Sequence, residues 1–460
     1  MNNQRKPNII VITADQLRPY ELGCYGGKVI QTPNIDRLAK QGAVWETAIT
    51  NFPVCMAARS VLISGQYNRT ATGGKTNVAY PGRPGDFNMP EYPYPRRPHL
   101  PNQTLPERLK QAGYQTQTIG KWHIHSWPDD VGFDNYLIPR VHHAHSAQVF
   151  SRNGGPEFVP EGFSVDFEAA EAQKYIHENK DNDQPFFLYY NISPPHCPVA
   201  DMPKKYLNLY QPDEIILREN TDESRIENKD YWYKVYRWDF RYYSLQLPHT
   251  QTLPEGYNLQ HLAAEYFGAV TWMDSAVGKV LDAVEQAGLQ DDTIIIFTAD
   301  HGENLGSHGL VQKGTENDES IRIPFVMAGP GVKSNHLIQD SVASLLDITP
   351  TLLNMIDESV PEHFHGQSLH FEAQGGADSG KLAFFETTQG FGLRSPQMTV
   401  YAKVDETGQM DESPSTVYHN IDDPFQYTNL TEQGQSSLLF QALQQRNSTI
   451  PWSKLDDHNL

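Results

Sequence analysis

Acidic, amide, imidazole, ammonium and thiol groups recur in this 460-residue chain where runs of apolar residues stop. Asp15 and Gln16 follow the run at 8–13 (NIIVIT). Lys121, His123 and His125 follow residues 114–119. His196 follows residues 185–191. Asp300 and His301 follow residues 293–298 (TIIIFT), with Lys313 further on. Two carboxylates and an amide can hold a divalent cation, while ammonium and imidazole groups neutralise the other oxygens of an anionic ester. The set suits metal-assisted attack on such an ester. Cys55, in Cys55-Met56-Ala57-Ala58-Arg59, lies between a strand ending near Thr50 and a helix ending at Gly65. A cysteine at a helix N-terminus has a lowered pKa, and the free backbone N–H groups there hold oxyanions.

Each signal also has a plainer reading. An Asp after a strand is more often a turn or a helix cap. His196 after Pro194-Pro195 could be a satisfied surface histidine, and Lys121 a snorkelling side chain. A free cysteine is usually a buried small hydrophobe. The residues alone leave both readings of Cys55 open. Recurrence at several strand ends carries more weight than any single position.

Such residues meet only if their strands share one edge of a sheet. Apolar strands alternate with helical patterns through most of the chain, which predicts an α/β fold with a large, mostly parallel central sheet flanked by helices. Ligands then sit beyond the carboxyl ends of the strands. Thr32-Pro33-Asn34 opens a helix that stops at Gly42, and another runs from about Thr104 to Ala112. The longest, about 262–287, carries the stripe Leu262, Tyr266, Val270, Met273, Val277, Leu281 and Val284. Residues 70–103 read as a long ordered loop. Residues 200–258 read as an insertion shaping a pocket, with 222–241 a solvated charged face. The texture changes near residue 372. A catalytic domain over 1–372 and a small C-terminal α+β domain with an antiparallel sheet over 373–460 are expected.

CMAARSVLISGQY, from Cys55, resembles the sulfatase signature C-x-(P/A)-x-R. Other segments similar to sulfatases follow in the expected order: PNIIVITADQ, TPNIDRLA, GKWH, PPH, TADHGE, IPFVMAGPG and HGQSL, the last ending at Leu369. YHNIDDPFQYTNL, from Tyr418, resembles the closing hairpin of the same family. The resemblance is to formylglycine-dependent (type I) sulfatases of the alkaline-phosphatase-like superfamily.

That resemblance implies the following roles. Cys55 is oxidised to formylglycine, whose hydrate attacks sulfur, and Arg59 orients it. Asp15, Gln16, Asp300 and His301, with the residue at Cys55, bind one divalent cation. Lys121 and Lys313 bind sulfate oxygens. His123 helps break down the sulfated hydrate, and His196 contacts sulfate and protonates the leaving alcohol. Oxygen ligands favour Ca2+, and the imidazole of His301 favours Mn2+ as the alternative. Gln16 and His301 stand where many sulfatases have an acid and an Asn. Both resemble the related phosphonate and phosphate ester hydrolases, which are the alternative activity. Ala57 in place of Pro points to a radical-type formylglycine-generating enzyme as maturation partner. Aromatic residues and long loops suggest a sulfated mono-, oligo- or polysaccharide, with Arg140, His142, His143 and His145 as pocket wall.

Composition narrows the rest. A net charge of −20 disfavours nucleic acid, which needs a basic face, without excluding a small anion held by a local cationic cluster. Three cysteines, Cys24, Cys55 and Cys197, without C-x-x-C, disfavour a disulfide framework or structural zinc. No run approaches the ~20 apolar residues of a membrane span. No signal peptide is visible at the start, so the sequence as given reads as cytoplasmic, or as periplasmic or secreted if its start was trimmed.

Overall fold

A computed structural model describes residues 5–74, 76, 97, 99–124, 126–139, 143–238, 252–377, 380–405, 409–431 and 437–451. Nine strands form the central sheet: β1 (Asn8–Asp15), β2 (Gly42–Ile49), β3 (Gln115–Gly120), β4 (Asn135–Pro139), β5 (Phe150–Arg152), β6 (Phe186–Pro195), β7 (Thr293–Ala299), β8 (Phe325–Ala328) and β9 (His336–Ser344). Their spatial order is β5-β4-β3-β6-β1-β7-β8-β2-β9. The run β4-β3-β6-β1-β7 is parallel throughout. β8 is antiparallel to both β7 and β2, so β2 again points the same way as β1. The carboxyl ends of β1, β2, β3, β6 and β7 therefore share one edge.

All eight residues of β1, all ten of β6 and all seven of β7 are buried. Strands covered on both faces by helices read as continuous apolar runs without alternation. The long helix spans Leu259–Gln286, and every residue of its expected stripe is buried. Its Asp274 accepts hydrogen bonds from Asn34 N (3.2 Å) and Ile35 N (2.9 Å). It thereby caps the helix Pro33–Gln41, for which Thr32 makes no side-chain cap. Thr104 and Glu107 close a capping box on the helix Leu105–Gln111.

Four further strands, β10 (Ala383–Glu386), β11 (Gly390–Arg394), β12 (Met398–Lys403) and β13 (Thr416–His419), form an antiparallel sheet in chain order. The helix Ser437–Thr449 packs against β11 and β12.

Some expectations change. β6 runs through Pro195 instead of stopping at Asn191, because its end still pairs with Asp15 on β1. The span expected as a loop from residue 70 begins inside a short helix, Asn68–Thr72, and most of the remainder lies outside the described residues. The segment expected to be a solvated face is one only in part: residues 224–225 and 227–230 are exposed, but its helix also has a buried side. The helix Lys229–Trp238 buries Tyr233, Val235 and Tyr236, and Arg237 donates to Glu265 at 2.5 Å. Its aromatic residues at i and i+3 form an inner stripe that the surrounding charges hide. No helix among the described residues is long and apolar enough to cross a membrane.

Candidate active site

Three strand ends on one sheet edge, with β6 between two of them, and the first turn of one helix supply the centre. Asp15 closes β1, Asp300 and His301 follow β7, and Lys121 follows β3. Gly120 precedes Lys121 with φ 91°, where an added Cβ would run into the Asn191 carbonyl. Glycine therefore lets the chain turn off the sheet there. Cys55 is the first residue of the helix Cys55–Ser64, and its N-cap, Val54, offers no side-chain acceptor. The first-turn N–H groups of such a helix remain open to an anion.

Asp15, Cys55, Asp300 and His301 are fully buried or nearly so, and one ligand atom from each lies within 4.8 Å of the others. Cys55 Sγ stands 3.1 Å from His301 Nε2 and 3.6 Å from Asp15 Oδ1. The His301 ring places Nδ1 2.9 Å from the Gly302 carbonyl. A proton on Nδ1 satisfies that carbonyl and leaves the Nε2 lone pair facing the cluster, the arrangement a metal-ligating imidazole requires. Two carboxylates, one imidazole and a sulfur in so small a volume fit a divalent cation.

Arg59 holds the cluster from beneath. Its Nε donates to Asp300 Oδ2 (3.0 Å) and its Nη2 to Asp15 Oδ2 (3.0 Å). Nη1 donates to the Lys121 carbonyl and to Asn191 Oδ1, both at 2.9 Å. Lys121 Nζ donates to Asp15 and lies 3.2 Å from His143 Nδ1. Lys313 Nζ donates to Gln16 Oε1 (2.7 Å) and to Cys55 Sγ (3.2 Å). Gln16 adopts φ 64° and His123 φ 45°, left-handed conformations that cost a non-glycine residue energy and cluster at functional sites.

The charges set one another. Burial disfavours the Cys55 thiolate, but Lys121, Lys313 and His301 outweigh it and hold the thiol well below its usual range. Burial and the Cys55 charge oppose ionisation of Asp15, yet Lys121, His196 and Arg59 keep it below the usual carboxylate range. Burial and Asp15 push Asp300 up. Burial lowers His301, and Asp300 more than restores it. His196 differs from expectation. An ordinary imidazole titrates near ~6.5, but burial and then Lys313 bring His196 down to about 4. Without a substrate it is neutral at neutral pH. Its Nδ1 lies 2.8 Å from the Cys197 carbonyl, and its ring stacks on His143 at 3.8 Å between centroids.

All ten site residues expected from the sequence lie around this one edge. Asp15, Cys55, Asp300 and His301 form the cluster, Arg59, Lys121 and Lys313 contact it directly, and Gln16 joins it through its backbone N–H on Asp300 and its side chain on Lys313. Burial lowers the His123 imidazole and contact with Cys55 raises it. His143, expected in the pocket wall, touches Lys121. Three partners escaped the sequence reading. Asn191 accepts from Arg59. Glu303 accepts from Gln16 Nε2, and Tyr236 donates to Glu303 at 2.6 Å. Glu303 closes TADHGE, so the motif contained it without showing its partner. His145 is buried against Trp272. His125, Arg140 and His142 lie outside the described residues.

A sulfatase family model matches residues 7–358. The ulvan-active sulfatase of Formosa agariphila is 27% identical over 443 residues, covering 92% of this chain and 77% of that protein. The N-acetylglucosamine-6-O-sulfatase of Bacteroides thetaiotaomicron is 25% identical over 433 residues, covering 83% and 74%. A structure solved with its substrate D-glucosamine-2-N,6-O-disulfate superimposes with a TM-score of 0.75 at 23% identity, covering 96% of this chain and 97% of that one, which shows a common fold. The family match takes in every residue of the cluster, from Asp15 to Lys313, and the chain belongs to the sulfatase family, the sulfuric ester hydrolases.

Proposed function

We propose that this sulfatase hydrolyses a sulfate monoester on a sulfated mono-, oligo- or polysaccharide. The observation that carries the reading is the buried cluster of Asp15, Cys55, Asp300 and His301 with Lys121 and Lys313 against it. Ulvan and N-acetylglucosamine-6-O-sulfate, named for two relatives, support a carbohydrate substrate. Cys55, converted to formylglycine by a maturation enzyme, supplies the nucleophile. One divalent cation, calcium, with manganese as the alternative, supplies positive charge to an ester oxygen when bound by Asp15, Asp300, His301, Gln16 and the residue at position 55.

The chain's own groups do the remaining work. Arg59 bridges Asp15 and Asp300 and keeps them aligned. Lys121 and Lys313 bind sulfate oxygens as charge shifts in the transition state. His123 assists release of sulfate from position 55. His196 grips the sulfate, and once the negative charge of the bound ester counters the effect of Lys313 it also gives a proton to the leaving alcohol. Residues 1–372 form the catalytic domain and 373–460 a small C-terminal domain, supported by the separate pairing of β10 to β13.

A phosphonate or phosphate ester hydrolase remains the second reading, favoured by Gln16 and His301. Matched aryl sulfate and aryl phosphate esters test the two. Faster hydrolysis of the sulfate is expected, and a preference for the phosphate would reverse the assignment. Defined sulfated oligosaccharides then identify the sugar and position.

A further inference from the structure

We propose that Glu303 is a positioning residue that fixes which end of the Gln16 amide faces the cation site. The proposal rests on the reading of Gln16 as an oxygen ligand. Glu303 is completely buried behind that side chain. Its Oε1 accepts three donors: Tyr236 Oη at 2.6 Å, Leu305 N at 2.8 Å and Gln312 N at 2.9 Å. Gln312 N also donates to Tyr236 Oη at 2.7 Å, so the tyrosine hydroxyl must spend its own proton on Glu303. With Oε1 fully engaged, Oε2 is left to accept from Gln16 Nε2.

An amide is ambiguous until its neighbours are counted. Here both neighbours agree. Glu303 offers only acceptors and Lys313 only donors, so Nε2 must face Glu303 and Oε1 must face Lys313, whose ammonium also touches Cys55. Gln16 N is anchored separately to Asp300 Oδ1 at 3.1 Å. Backbone position and amide orientation are thus set by different partners.

This arrangement makes a sharp demand on residue 303. A glutamine there would keep its single oxygen on the three donors and turn its NH2 toward Gln16. Two NH2 groups would then meet. The clash is relieved by flipping the Gln16 amide, which presents a donor to Lys313 and to the cation site. Shape is conserved, and only polarity changes. Exchanging the two residue types, Gln16→Glu with Glu303→Gln, restores a donor facing an acceptor and returns an oxygen to the site.

Calcium chloride, and separately manganese chloride, is titrated calorimetrically into metal-free full-length protein. Glu303→Gln is expected to weaken cation binding by about 10–100-fold, the usual effect of losing a group that orients a ligand. The double exchange is expected to bind more tightly than either Glu303→Gln or Gln16→Glu, since the latter sets two carboxylates face to face. A Glu303→Gln protein that binds as tightly as the parent overturns the proposal. So does a double exchange no tighter than Gln16→Glu, which already carries the carboxylate at position 16; that is the result expected if Glu303 merely supports its loop. Asp15→Ala serves as reference. If it loses the cation while Glu303→Gln does not, only the orientation proposal has failed; if neither loses it, the cation reading has failed. Should Glu303→Gln be unfolded by melting, Tyr236→Phe replaces it. Removing that donor loosens Glu303 and is expected to weaken cation binding, and unchanged binding counts against the proposal.

Discussion

Cys55 and Arg59 lie one helical turn apart, so the residue that begins the helix and the guanidinium that bridges Asp15 and Asp300 face the same side. An i, i+4 spacing is what brings two side chains onto one face. The helix thereby delivers the proposed nucleophile already registered against both carboxylates.

Active protein is expected to carry an aldehyde at position 55, read by mass spectrometry of the peptide containing residues 55 to 59. Cys55→Ala should abolish turnover and leave the melting temperature nearly unchanged, because little packed volume is lost. Full activity from a sample with an unmodified thiol would refute the nucleophile assignment.

Asp15→Ala and Asp300→Ala should each lose the bound cation and activity. Each also leaves Arg59 with one carboxylate fewer in a buried site. Removing one partner of a buried ion pair costs on the order of 3–5 kcal/mol, so both should melt earlier. Elemental analysis checks the metal and distinguishes calcium from manganese. A stoichiometric ion retained by either variant removes that residue from the ligand set.

His196→Ala should slow a sugar sulfate far more than a nitrophenyl sulfate. A poor leaving group needs a proton, and a general acid is worth about 10²–10⁴ in rate, whereas a nitrophenolate leaves unaided. The ratio of kcat/KM on the two substrates is the measurement. Equal losses would leave His196 a sulfate-gripping group and move the acid role to His123 or Lys313.

Glu319, which is not among the site residues, provides a pH test of stability. Burial opposes its charge, but hydrogen bonding from His308, the charge of Arg218 and hydrogen bonding from Asn220 bring it down to about 2 from 4.5. Its folded value lies below its unfolded one. The contribution is therefore complete above the unfolded value and is lost as pH falls from 4.5 toward 2. Glu319→Gln should lower stability at pH 7 and flatten the acid limb of a urea-denaturation series. An unchanged acid limb would show that other carboxylates govern it.

Strand ends were legible because buried parallel strands announce themselves as unbroken apolar runs, and the sheet's parallel order turns each run's last residue into a site residue. Asp15, Lys121, His196 and Asp300 are all of this kind. Glu303 and Tyr236 were not, because their hydrogen bond joins residues 67 positions apart and neither residue type marks the other. The helix carrying Tyr236 was masked by its own charges. The low pKa of His196 follows from burial and from Lys313, neither of which its flanking prolines reveal. Gln16 was legible as a ligand type, but its orientation is decided by Glu303 and Lys313 together.

The burial of Cys55 sets a clock. At 1% exposure its sulfur is sealed off from any second protein once the sheet edge has closed. Lys313, which touches that sulfur, is synthesised 258 residues later. At ribosomal speeds of about 5–20 residues per second, the interval lasts roughly ten seconds to a minute. If conversion to formylglycine requires a docked enzyme, the reaction races translation, and the yield of active protein depends on how quickly the chain is made.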